Sequence, residues 1–89
     1  VNRVLTRILV DTGAAISLIH EDTLRSMPPV TVRNCSLKEV HTANSGFLSL
    51  SGLVSLEILI DDFHTRADVY ITRDLVCPMI LGRDWIQQY

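Results

Sequence analysis

The sequence has 89 residues, with ten acidic side chains, eight basic ones and a formal net charge of −2 at pH 7. A chain of this length forms one domain whose core is only marginally self-sufficient, so association with a partner would help it. The basic residues are scattered and form no stripe for nucleic acid, and no apolar run approaches the roughly 20 residues of a membrane span. We therefore expect a single domain over residues 1–89 that binds neither nucleic acid nor a membrane.

Strand patterns dominate the first part of the chain. Residues 4–10 predict a strand that stops at the turn signal formed by residues 11–13, and residues 14–19 continue as a short apolar stretch. Residues 21–27 predict two helical turns with acidic residues at the start, which suits the helix dipole. The two prolines that follow end this helix.

The clearest periodicity comes after two short predicted strands, residues 30–32 and 36–40. Apolar and polar residues alternate from Leu48 to Ile60, which predicts a long strand with one buried face. Gly52 interrupts the alternation, so a bulge is expected there. The apolar residues of one parity are Leu48, Leu50, Val54, Leu56, Ile58 and Ile60.

The last part of the chain predicts a hairpin, a short strand and a helix. Residues 61–62 predict a turn, and residues 66–72 return as the partner of the long strand. Residues 79–81 form a short apolar strand, which Gly82 ends before a helix over residues 83–89. The elements together predict a small, mainly β, closed or strongly curved β-barrel-like domain with one short C-terminal helix.

The cysteines and histidines show no metal-binding pattern. Cys35 and Cys77 are isolated, and neither has a neighbour at C-x-x-C or C-x-x-H spacing. The three histidines lack metal-ligand spacing as well. We therefore expect no metal and no other cofactor, and we interpret both thiols as reduced and partly buried.

One turn carries candidate chemistry, because the apolar residues Ile8, Leu9 and Val10 lead directly into Asp11-Thr12-Gly13. A carboxylate at the end of a buried strand costs free energy unless something satisfies or uses it. Gly13 allows a close backbone approach, and Thr12 offers a hydroxyl to brace the turn. The alternative interpretation is an ordinary Asp-Gly-type turn, since so short a motif also arises by chance.

The motif is accompanied by two others in a characteristic order. Leu-Val-Asp-Thr-Gly-Ala (residues 9–14), with Ser17 and Ile19 after it, precedes a polar, glycine-bearing segment (residues 41–47) and then Ile-Leu-Gly-Arg-Asp (residues 80–84). In these features the chain resembles the retropepsins, the single-domain aspartic proteases of retroviruses and LTR retrotransposons, over nearly its whole length. It is most similar to the gypsy-type branch.

The resemblance implies a mechanism that needs two chains. Two Asp-Thr-Gly loops would meet on a two-fold axis in a symmetric homodimer and place two carboxylates side by side. Such a pair shares one proton, and aspartic proteases are the standard example. The pair would activate a water molecule to hydrolyse a peptide bond in a peptide or polyprotein substrate, without a metal.

Individual roles follow from the same resemblance. Asp11 would be the catalytic acid and base, and Thr12, Gly13 and Ala14 would support it in its loop. Thr12 would hydrogen-bond across the dimer, and Gly13 would bind the substrate main chain. Ile80 would line a side-chain pocket, and Arg83 would make buried polar contacts near the dimer interface. A flap over the substrate would be formed by Ala43, Asn44, Ser45, Gly46 and Phe47.

Two departures from the family pattern affect these expectations. Some members carry an acidic residue directly after Asp-Thr-Gly-Ala, where this chain has Ala15. Only ten residues precede Asp11 and the sequence ends at Tyr89, whereas family members have terminal strands that interleave in the dimer. We therefore expect a domain trimmed at both ends that is monomeric or weakly dimeric.

The resemblance favours an aspartic endopeptidase that processes a Gag-Pol-like polyprotein in the cytoplasm or within virus-like particles. Two alternatives remain open. The first is a non-catalytic dimerisation or interaction module of the same fold, and the second is a cellular, ubiquitin-linked retropepsin-like protease.

Overall fold

The computed structural model describes residues 1–42 and 46–89. The elements are β1 (Ile8–Val10), β2 (Leu18–His20), α1 (Glu21–Arg25), β3 (Glu39–Thr42), β4 (Gly46–Ile60), β5 (Phe63–Thr72), β6 (Met79–Leu81) and α2 (Arg83–Ile86). Within the described residues, the strands form one sheet in the order β1-β6-β2-β5-β4-β3, which curls into a half-barrel. The mainly β architecture, the strong curvature and the short C-terminal helix predicted from the sequence are confirmed.

The β4–β5 hairpin is the largest feature, and it follows the alternation seen in the sequence. Residues of even number from Leu48 to Ile58 are buried along β4 and face the core. Leu50 pairs with Thr72 whereas Gly52 pairs with Ile71, so one extra residue of β4 forms the expected bulge. A Cβ at Gly52 would lie 2.6 Å from a methyl group of Val32, which explains the glycine.

The N-terminal strand is shorter than predicted. The residues before β1 form a turn in which Asn2 and Arg3 have positive φ angles of 47° and 67°. Asn2 then binds β4 twice, because its N–H donates to the carbonyl of Glu57 (2.8 Å) and its Oδ1 accepts the N–H of Glu57 (2.7 Å). These contacts hold the N-terminal residues against the hairpin and leave only Ile8–Val10 paired with β6.

Several further element boundaries differ from prediction. Residues 30–32 form no strand, since the described backbone of this segment pairs with the sheet through an isolated bridge between Arg33 and Leu53. The strand predicted over residues 36–40 begins at Glu39. Helix α1 ends at Arg25 and helix α2 at Ile86, each before the predicted end.

Two clusters of buried side chains stabilise the sheet. The larger packs β4 and β5 against β2 and β6, with Ile19, Leu56 and Met79 fully buried. The smaller joins Ala14 to Ile80 and thus reaches the Asp-Thr-Gly turn. Each fully buried aliphatic side chain contributes about 1.5–3 kcal/mol. In the described part of the chain, no helix has the length and apolar character needed to cross a membrane.

Candidate active site

The position of Asp11 is set by the pairing of the two strands beside it. Strands β1 and β6 run parallel with Val10 opposite Leu81, and the N–H of Asp11 continues the ladder by donating to the carbonyl of Leu81 at 3.0 Å. Asp11 therefore follows directly from the carboxyl end of β1. Its side chain is half-buried, while the neighbouring Leu9 and Val10 are 49% and 53% exposed.

The turn after Asp11 closes on the carboxylate itself. The N–H of Gly13 donates to Asp11 Oδ1 at 2.8 Å, and the N–H of Ala14 donates to the Asp11 carbonyl at 3.2 Å. A Cβ at Gly13 would lie 3.1 Å from Asp11 Oδ1, so glycine suits this close approach. Among the described residues, Asp11 Oδ2 receives no hydrogen bond, which leaves that oxygen available for chemistry.

A corner formed by Gly82, Arg83 and Asp84, here the 82–84 corner, lies directly against the Asp11 loop (residues 11–17). The N–H of Arg83 donates to the carbonyl of Ala14 at 2.8 Å, and the N–H of Asp84 donates to that of Ala15 at 3.3 Å. The two backbones are so close that a Cβ at Gly82 would lie 2.7 Å from the Ala14 carbonyl oxygen.

A buried polar pair joins the end of the loop to the same corner. Ser17 is fully buried, and its hydroxyl donates to Asp84 Oδ1 at 2.6 Å while accepting the N–H of Gly82 at 3.1 Å. The N–H of Ser17 donates to Asp84 Oδ2 at 3.0 Å. Both carboxylate oxygens of Asp84 are therefore occupied, and this role of Asp84 was not predicted from the sequence.

Comparison with known proteins identifies the family to which this chain belongs. The family model for retroviral aspartyl protease matches residues 1–89. The chain belongs to the retroviral aspartyl protease family. Among curated proteins no relative matches it. Its fold is similar to that of the EIAV protease complexed with the inhibitor HBY-793, with a TM-score of 0.76 and 19% identity over 98% of this chain and 79% of that chain.

Membership of the retroviral aspartyl protease family confirms the resemblance to retropepsins and makes this chain an aspartic protease subunit. In this subunit the loop residues predicted to support Asp11 differ in exposure. Thr12 and Gly13 are exposed, whereas Ala14 is buried in the smaller core cluster. Thr12 and Gly13 are therefore accessible at the surface, while Ala14 fixes the end of the motif in the core.

The other described residues predicted for the site lie on β6, at the start of α2 and at the start of β4. Ile80 lies on β6 and is buried in the same cluster as Ala14. The Arg83 side chain is exposed, so the buried polar contacts predicted for it are not made within one subunit. Gly46 has a φ of 70°, and the exposed ring of Phe47 lies 4.8 Å from that of His41. Ala43, Asn44 and Ser45 lie outside the described residues.

The partly buried thiol of Cys77, between β5 and β6, has a pKa raised by its burial, and the charge of Asp11 contributes to the rise. Burial raises the pKa of Cys77, a hydrogen bond with the backbone of Met79 opposes this rise, and the negative charge of Asp11 adds to it. Less thiolate is therefore present near neutral pH than at an ordinary cysteine. The reactivity of Cys77 should report the charge on Asp11.

We expect Asp11→Asn to accelerate alkylation of Cys77 at a fixed, mildly alkaline pH, because removing the carboxylate charge lowers the pKa of the thiol. The measurement is the iodoacetamide reaction rate against pH, with Cys35→Ala present in both proteins so that one thiol reacts. In urea the two proteins should react equally. A folded-state rate that is unchanged or slower in Asp11→Asn would contradict the expectation.

Proposed function

We propose that two copies of this chain form an aspartic endopeptidase in which both Asp11 carboxylates activate one water molecule. The observation that carries the proposal is the state of the Asp11 carboxylate. It is half-buried, Oδ1 is held at 2.8 Å by Gly13, and Oδ2 has no hydrogen-bond donor among the described residues. These 89 residues contain a single Asp-Thr-Gly, and in the proposal a second copy of the chain supplies the second carboxylate.

The chemistry follows from bringing two such carboxylates together. Two like charges about 3 Å apart cannot both be present, so the pair holds one proton with split apparent pKa values. The ionised carboxylate accepts a proton from the bridging water, whose oxygen attacks the peptide carbonyl carbon. The protonated carboxylate donates to the carbonyl oxygen, and a proton then passes to the leaving amine as the C–N bond breaks.

Exposed apolar surface beside the loop supports a second copy and a peptide substrate. Leu9 and Val10 immediately precede Asp11, yet about half of each side chain is exposed. Successive strand residues point to opposite faces, so these two side chains present apolar surface on both sides of β1. One face suits a substrate side chain and the other suits a partner subunit.

The remaining site residues receive roles in the same proposal. Exposed Thr12 would hydrogen-bond to the partner loop, and exposed Arg83 would become buried against the partner. Gly13 would bind the substrate main chain, and Ile80 would lie at the base of a side-chain pocket. The flap role of residues 43–47 rests on the sequence resemblance, with Gly46 and Phe47 at the start of β4 as its described part.

The sequence resemblance also supports a biological setting. We propose a Gag-Pol-like polyprotein as the substrate, a gypsy-type element as the source, and the cytoplasm or virus-like particles as the place of action. A non-catalytic dimerisation module and a cellular, ubiquitin-linked protease are the alternatives. The module differs from the proposal in having no activity, and the cellular protease differs in its substrate.

Mixing the wild-type chain with Asp11→Asn tests the two-chain site. At constant total concentration, chosen where sedimentation shows dimers, peptide hydrolysis should fall as the square of the wild-type fraction. Equal parts leave about one quarter of the dimers with two Asp11 carboxylates. Mixing the wild type with Asp62→Asn, a change in an exposed turn, should leave the rate of peptide hydrolysis unchanged at every fraction.

The shape of the mixing curve separates the possibilities. A linear decrease would show that one chain is active alone, which would overturn the two-chain site. No hydrolysis at any fraction would favour the non-catalytic module. Inhibition of the wild-type activity by pepstatin should accompany the quadratic curve, because this peptide inhibitor engages a paired carboxylate site.

A further inference from the structure

We propose that Ser17 and Asp84 are positioning residues that hold the Asp11 loop in the geometry the reaction needs. Neither residue is expected to touch substrate, and the inference rests on the proposed function. It concerns a contact between residues 67 positions apart in the sequence, formed where the end of the loop meets the start of α2.

The Ser17 hydroxyl and both carboxylate oxygens of Asp84 are hydrogen-bonded. The Ser17 hydroxyl donates to Asp84 Oδ1 (2.6 Å) and accepts the N–H of Gly82 (3.1 Å). Asp84 Oδ2 accepts the N–H of Ser17 (3.0 Å), and Oδ1 also accepts the N–H of Trp85 (2.8 Å). Hydrogen bonds to a carboxylate are roughly twice as strong as those between neutral groups, and Ser17 is shielded from competing water.

The same four-residue segment that carries Asp84 contacts the loop along its length. Leu81 accepts the N–H of Asp11 at 3.0 Å, which places the catalytic carboxylate. Backbone hydrogen bonds from Arg83 and Asp84 hold the middle of the loop through the carbonyls of Ala14 and Ala15. The Ser17–Asp84 pair holds its end, so it sets how the 82–84 corner and the loop lie relative to each other.

Small displacements of this loop matter for the reaction. Two Asp11 carboxylates can share a proton and a water molecule only at a short separation, and a misplacement of about 1 Å at a reacting group costs up to about 10²-fold in rate. Each loop contributes one carboxylate, so a shift caused by one substitution occurs twice in a symmetric dimer. Loss of the pair should therefore lower kcat more than it raises KM.

Two substitutions remove the pair with little change in volume. Ser17→Ala deletes the hydroxyl and leaves the Gly82 N–H without its acceptor. Every described partner of the two Asp84 carboxylate oxygens is an N–H or O–H donor. Asp84→Asn replaces one of these oxygens by an N–H₂ group, so two donors face each other and a hydrogen bond is lost. Both should loosen the contact between the corner and the end of the loop while the backbone hydrogen bonds to Ala14 and Ala15 remain.

Thr65→Val is the matched control. The Thr65 hydroxyl accepts the indole N–H of Trp85 at 3.0 Å and donates to the carbonyl of Ile58 at 3.5 Å. Its loss weakens the attachment of α2 to β5 and removes no hydrogen bond of the Ser17–Asp84 pair. The control therefore shows what destabilisation of α2 does by itself.

The experiment measures kcat, KM and the pH dependence of peptide hydrolysis for the wild type and the three variants, at a temperature where each is folded. We expect Ser17→Ala and Asp84→Asn to lower kcat about 10-fold or more and to shift the pH profile. Thr65→Val should leave kcat and the pH profile unchanged. Equal effects of the control, or unchanged kcat and pH profile in the first two variants, would overturn the proposal.

A readout that needs no activity keeps this result separate from the test of the proposed function. The backbone amide resonance of Gly13, whose N–H donates to Asp11 Oδ1, should shift in Ser17→Ala and Asp84→Asn and stay in place in Thr65→Val. If the wild type is inactive, the proposed function fails and this resonance still decides whether the pair positions the loop. An unmoved Gly13 resonance in both pair variants would overturn the positioning role.

Discussion

Replacing Asp11 by Asn is expected to lower kcat for peptide hydrolysis by at least about 10²-fold, since a positioned acid–base group contributes about 10²–10⁴-fold. An amide can neither share the proton of the carboxylate pair nor accept one from water. Its Oδ1 can still accept the N–H of Gly13, so the loop should keep its conformation. The measurements are kcat on a fluorogenic peptide and thermal unfolding of both proteins.

A matched carboxylate replacement distinguishes the site from a general charge effect. Asp62→Asn makes the same chemical change in the exposed turn between β4 and β5, and it should leave kcat and unfolding unchanged. Activity that persists in Asp11→Asn with a correct mass and fold would remove Asp11 from the reaction. A large loss of stability in Asp11→Asn would mean that the loop depends on the charge for its structure.

Gly82→Ala is expected to cause the largest loss of stability among these substitutions. The new Cβ would lie 2.5 Å from the carbonyl oxygen of Ile16 and 2.7 Å from that of Ala14. Overpacking usually costs about 1–3 kcal/mol, and here the atoms that must move belong to the backbone, so we expect a loss of about 3 kcal/mol or more. Urea unfolding, with the slope and midpoint both fitted, measures it.

Gly46→Ala is the appropriate comparison because it separates conformational strain from steric overlap. Gly46 has a φ of 70°, but a Cβ there would meet no atom of the described residues within 4 Å. Placing alanine in this left-handed conformation should cost about 1–2 kcal/mol. If Gly46→Ala proved as destabilising as Gly82→Ala, the close approach of the 82–84 corner to the Asp11 loop would not be the reason for the glycine.

The fold could be predicted from the sequence where a long periodic pattern was present. The alternation from Leu48 to Ile60 identified β4, its buried face and the bulge before Gly52, because one strand face packs against the core over its whole length. Short segments gave less information. Residues 4–7 and 30–32 have strand-like composition but lack a partner strand, and pairing between distant segments is not visible in a local pattern.

The site could be predicted in part for the same reason. Asp11 follows an apolar strand, so its motif was recognisable, and its place after β1 agrees with this. Arg83 was identified through its family motif, yet the residue whose side chain bonds to the loop within the subunit is its neighbour Asp84. Ser17 and Asp84 both belong to the family's sequence pattern, but they lie 67 positions apart and only the structure shows that they are in contact.

The attachment of α2 gives this protein a built-in optical probe. Trp85 is the single tryptophan of the chain, and its indole bonds to Thr65 and lies 5.4 Å from the ring of Tyr89. A four-residue terminal helix can open locally at lower free energy than the whole domain unfolds. Such opening would bring the indole into water, so its emission would move to longer wavelength while the core stays folded.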